Sequence, residues 1–115
     1  MTRQPFDLEQ RTLTFAKNVV RLCKSTKETT ITRSIIDQVI RASGSVGANY
    51  REANDSLSKK DFAHRIRITR REAKEALYWL ELLETAIPEA NGQVKTLIQE
   101  ASELRKIFSA IADKS

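Results

Sequence analysis

A single cysteine, Cys23, leaves the chain no internal disulfide, and a single histidine, His64, leaves no Cys/His zinc set within one protomer. Only 3 Gly, 2 Pro and 6 % aromatic residues are poor material for tight turns or cross-strand pairs, which argues against sheets. No apolar run approaches the roughly 18 residues of a membrane helix. Met1 to Asp7 carries polar and charged residues where a signal peptide places its apolar stretch. These absences point to a cytoplasmic, unprocessed, all-α protein without metal or cofactor. The 115 residues suit one domain, since two would each fall below the usual size.

What the sequence does contain is helical periodicity. Four segments, at about 7–25, 30–55, 59–86 and 91–112, are separated by short polar breaks. In the first, Leu8, Thr12, Phe15, Val19 and Leu22 recur at spacings of four and three, with Leu13, Ala16, Val20 and Cys23 as a second stripe beside them. Two stripes imply more than one neighbour to cover. Pro5, with acidic Asp7 and Glu9, marks the start. The second segment has Thr29 or Thr30 as its cap and carries Ile31, Ile35, Ile36, Val39, Ile40, Val46, Tyr50 and Ala53.

Inside that segment Gly44 and Gly47 interrupt good helix formers, at about 1 kcal/mol each relative to Ala. Either the helix breaks near Gly44, or it continues and another backbone packs closely at the glycines. The unbroken periodicity favours the second alternative. The third segment opens with Ser58 and Asp61 at capping-box spacing and carries Phe62, Ile66, Thr69, Ala73, Leu80 and Leu83. The fourth has Val94, Leu97, Ala101, Leu104, Phe108 and Ile111 as its seam. Short connections make sequence neighbours antiparallel, so the expected fold is an up-and-down four-helix bundle.

Net charge is +5, and the excess is local: over residues 59–74 seven Lys and Arg face only Asp61 and Glu72. Lys60, Arg67, Arg71 and Lys74, spaced seven, four and three, share one helix face, with Arg70 next to it. That geometry suits a phosphate backbone, where Lys and Arg release counterions and Arg adds a bidentate fork. The alternative is a solvated face laced by pairs such as Asp61 with Arg65 or Arg71 with Glu75. Tyr78 and Trp79 lie beyond the basic stretch and read as packing or assembly residues. Asn49 and Glu52, three apart near the small-residue stretch, read as a polar network fixing helix register against the third helix, or else as a polar binding site.

Catalytic constellations fail on residue count. A di-iron bundle needs paired Glu-x-x-His motifs, whereas His64 is preceded at that spacing by Asp61. A helical-bundle ribonuclease of the HEPN type places an Arg four to six residues before its His, and those positions are Leu57, Ser58 and Lys59. Cys23 lies in an apolar stripe and His64 in a basic stretch, so no nucleophilic pair is expected and the chain reads as a non-enzyme.

The run Ser45-Val46-Gly47-Ala48-Asn49-Tyr50-Arg51-Glu52-Ala53, then Lys60-Asp61-Phe62, then Arg71 through Leu83, resembles the four-helix bundle protein family, also called the 23S rRNA intervening sequence protein family. The likeness covers nearly the whole chain. It implies a small cytosolic bacterial protein, often encoded within insertions in large-subunit ribosomal RNA genes, that assembles as a ring-like homopentamer. A similar bundle is the accessory protein of diversity-generating retroelements, where a basic pentamer is implied to bind a reverse transcriptase and nucleic acid. The resemblance carries no catalytic residues. Independently of it, the double stripe of the first helix and, on the third, Leu77, Tyr78, Leu80, Leu82 and Leu83 with Trp79 are more apolar positions than one core-facing stripe requires, so some should face another protomer. The reading is therefore a homo-oligomer binding RNA or a nucleoprotein through Lys60, Arg67, Arg70, Arg71 and Lys74, or alternatively a protein-interaction scaffold.

Overall fold

The computed structural model describes residues 4–115, with side chains from Leu8 onward. The side chains of Pro5 and Asp7, read as start signals, lie outside the described residues. Four helices follow one another: α1 (Gln4–Lys24), α2 (Thr30–Asn54), α3 (Lys59–Ala86) and α4 (Asn91–Lys114), the last two joined by a 3₁₀ turn at Pro88–Ala90. Helix α1 starts before Pro5, not after it. A proline is tolerated in a first helical turn because its missing N–H has no intrahelical partner there.

Local chemistry sets the other ends. Thr29 caps α2 reciprocally: its hydroxyl accepts from the Thr32 amide at 3.1 Å, and its own amide donates to Thr32 Oγ1 at 2.8 Å. Ser58 Oγ accepts from the Asp61 amide at 3.1 Å and starts α3. Helix α2 runs unbroken through Gly44 and Gly47.

Each helix packs on its sequence neighbours, α1 closes the bundle against α4, and the diagonal helices α2 and α4 meet in the core through side chains. The register is antiparallel throughout: Thr12 meets Gly47, Asn49 meets Arg65, Arg41 meets Glu72, and Glu84 meets Lys95. The core takes the expected stripes, with Phe15, Val19, Val39, Val46, Ile66, Leu80, Leu83, Val94, Leu104 and Phe108 essentially without solvent contact. Tyr50 and Phe108 stack at a tilt with ring centroids 5.3 Å apart. Buried Thr12 and Thr69 turn their hydroxyls back onto Leu8 and Arg65 carbonyls one turn earlier, so neither leaves a polar group unsatisfied.

The two glycines behave differently. A Cβ on Gly47 would sit 3.0 Å from Thr12 Oγ1 and 3.3 Å from Thr12 Cβ, so here α1 approaches α2 closely. The expectation of close packing at Gly44 is corrected: nothing lies within 4 Å of where its Cβ would be. Among the described residues no helix is long and apolar enough to cross a membrane.

Candidate nucleic-acid interface

Helix α3 is the longest element, and its two long sides are chemically opposite. On the side facing α2, Arg41 reaches across to Glu72 at 3.4 Å and also pairs closely with Glu75, which in turn accepts from Trp79 Nε1 at 3.1 Å. The Glu72 side chain is nearly buried, so Arg41 supplies the countercharge that its burial requires. Arg65 donates to Asn49 Oδ1 at 3.4 Å, and Asn49 Nδ2 donates to the Ser45 carbonyl at 2.8 Å. This side uses its charges to set the register of α2 on α3.

The outer side is different. Arg67, Arg70, Arg71 and Lys74 line an open groove of about 560 Å³ together with His64 and Ile68 of α3 and with Arg105 and Ser109 of α4. Among the described residues, none of its Arg or Lys side chains has an ion-pair partner. The intrahelical pairs of a merely solvated face, Asp61 with Arg65 and Arg71 with Glu75, are not formed: Arg65 is turned to Asn49 and Glu75 is taken by Arg41. Arg105 Nε is shielded from solvent and has no hydrogen-bond partner. Arg105 Nε aside, the groove presents guanidinium and ammonium donors whose bonding capacity is open to an anionic ligand.

Of the five cations read from sequence, four line this groove. Lys60 is exposed in the first turn of α3, one turn before His64, and extends the row without lining the groove. Asn49 and Glu52 are not brought together. Asn49 faces α3, whereas Glu52 is exposed and its side chain has no partner among the described residues, so the expected register network consists of Asn49 and Arg65. Nothing in the sequence pattern singles out Arg105. It follows Leu104 of the core stripe, and only the fold-back of α4 on α3 across the connector at 87–90 shows that it lines the same groove as Arg70.

Cys23 is buried near the carboxyl end of α1 and His64 is exposed near the amino end of α3, at opposite ends of the bundle. Burial pushes the Cys23 thiol up to about 11, leaving it protonated and unreactive at neutral pH. No group of three His, Cys, Asp or Glu side chains among the described residues is placed to hold a metal ion.

The family model for the 23S rRNA-intervening sequence protein matches residues 5–110. None of the curated proteins matches the chain. The crystal structure of a protein of unknown function from the S23 ribosomal protein family of Bacteroides thetaiotaomicron superimposes with a TM-score of 0.79 at 31 % identity, over 90 % of this chain and 96 % of that one. A model match across all four helices, joined to a structural likeness at that identity, places this chain in the 23S rRNA-intervening sequence protein family.

Proposed function

We propose that the chain is a non-enzymatic, homo-oligomeric helical bundle of the cytoplasm that binds RNA, or a nucleoprotein built on RNA, through the groove on the outer face of α3. One observation carries this reading: Arg67, Arg70, Arg71, Lys74 and Arg105 converge on one groove without carboxylate partners among the described residues. Cations placed only for solubility gain nothing from convergence, since like charges repel. A polyanion turns that repulsion into affinity. The family description, which names a 23S rRNA intervening sequence, fits an RNA context.

Self-association is supported by apolar surface that one protomer leaves uncovered: Ile31 is 67 % exposed, Tyr78 57 %, Val20 41 % and Ile40 39 %. A pentamer is the order implied by the family resemblance. A ring would repeat the groove around its axis and multiply avidity for an extended ligand without strengthening any single contact.

The test is mass-resolved light scattering of the protein alone and with a structured RNA, at low and then moderate salt. An oligomer that takes up RNA and sheds it as salt rises is the expected result. Reversing Arg67, Arg71 and Lys74 to Glu lowers affinity by at least about 100-fold with helicity and mass unchanged. Unchanged binding by that variant removes the groove from the account. The second reading, a protein-binding scaffold, is favoured by the exposure of Tyr78 and Leu82. It predicts an oligomer indifferent to RNA whose partner contact barely responds to salt.

A further inference from the structure

Resting on the nucleic-acid reading above, we infer that the groove recognises the phosphate backbone of double-stranded RNA in preference to single strands. The first argument is rigidity. Lys60, His64, Arg67, Arg71 and Lys74 stand at spacings of four, three, four and three along one uninterrupted helix, a row about 21 Å long at 1.5 Å per residue. A duplex offers phosphates in a fixed array, so a rigid row meets a rigid row with little loss of freedom. A single strand must be ordered first, and that entropy counts against it.

The second argument is what the groove lacks. Single-strand sites recover the cost of ordering by stacking bases on aromatic side chains, at roughly 1–3 kcal/mol per base. His64 is the one ring in this groove, which has no Phe, Tyr or Trp and only Ile68 as a large apolar side chain, so a platform for stacking successive bases is missing. The other aromatics of α3 are engaged elsewhere: Phe62 packs against the core, the rings of Tyr78 and Trp79 meet edge to face at 5.3 Å, and the indole N–H is held by Glu75.

The third argument is the donor set. Arginine forks suit phosphate oxygens, and Ser109 adds a hydroxyl that can donate to or accept from a ribose 2′-OH. The site is thus equipped for backbone and sugar, which are what an A-form duplex displays at its accessible surface. Arg105, with its Nε unpartnered, forms the α4 wall and makes the site a two-helix groove instead of a single ridge.

The experiment is fluorescence anisotropy on the assembled protein with two probes, a short blunt RNA duplex and one of its strands chosen to be unstructured, across a salt series. The duplex is expected to bind at least about tenfold tighter, with log K falling by about 0.9 per neutralised phosphate for each tenfold rise in salt. Arg71→Gln and Arg105→Gln should each make that salt slope shallower by about 0.9 per engaged protomer, and circular dichroism should show their helicity unchanged. Equal or tighter binding of the strand overturns the duplex preference and leaves the parent reading standing. An unchanged slope in Arg105→Gln overturns the two-helix groove. Binding of neither probe overturns both readings.

Discussion

The two long sides of α3 carry similar residues and do different things with them. Toward α2, Glu72, Glu75 and Arg65 are matched with Arg41 and Asn49, in contacts part-shielded from water. Toward solvent and α4, Arg67, Arg71 and Lys74 have no partner among the described residues. A charge pressed against a neighbouring helix must be compensated before the chain can fold, because burial penalises it. A charge on an open face carries no such cost, so it is left for a ligand. Net charge along a segment therefore cannot separate structural from functional cations. The partner across the seam does.

Breaking the matched side should have the largest effect on stability. Arg41→Ala strands Glu72 and is expected to cost about 1–3 kcal/mol in urea unfolding. Adding Glu72→Gln to that variant should recover most of the loss, because the uncompensated charge, not the missing guanidinium, is the main penalty. On the other side, Arg67→Ala should change stability by less than about 0.5 kcal/mol while weakening RNA binding. If Arg67→Ala destabilised the fold as much as Arg41→Ala, the division between the two sides would be wrong.

Much of this architecture is legible in the amino-acid sequence alone. Helix number, the core stripes and the antiparallel order follow from 3.6-residue periodicity and short connections, and Thr29, Ser58 and Phe108 sit where the pattern places them. The basic stretch is legible too, but its pairing is not. Spacing suggests that Arg71 turns to Glu75 on its own helix, yet Arg41 of α2 captures Glu75, and an interhelical partner cannot be read from one helix. Arg105 and Glu52 show the same limit in opposite directions. One enters the groove and the other faces water, and both outcomes depend on where neighbouring helices lie.

A smaller effect is expected at the seam between α1 and α4, where Arg11 grips Glu100 at 2.7 Å and Glu103 at 2.9 Å. Arg11→Ala should cost about 1 kcal/mol, mostly through the less exposed Glu100, after allowing for solvent screening. Donation from Gln99 and from Arg11 holds the Glu103 carboxyl below its ordinary 4.5. A depressed carboxylate contributes fully above its unfolded value and loses that contribution as pH falls through the folded one. The stability gap between wild type and Arg11→Ala should therefore be constant near neutrality and narrow below about pH 4.5, as urea titrations on both proteins at several pH values would show.

The finest distinction lies between the two glycines of α2. Gly44→Ala places a methyl in open space within a helix, so it should stabilise the isolated protomer by about 0.5–1 kcal/mol through helix propensity. Gly47→Ala has the same propensity gain but pushes against Thr12, whose hydroxyl is tied to the Leu8 and Glu9 carbonyls at 2.8 and 3.1 Å and so resists rotation. The gain should be cancelled there, leaving Gly47→Ala neutral or destabilised in thermal unfolding. Gly44 also shares a helix face with exposed Ile40, one turn away. Should Gly44→Ala stabilise the protomer at low concentration while weakening self-association in light scattering, this face is where a second copy approaches. If both properties rise together, assembly uses another surface, with Tyr78 and Leu82 the next positions to change.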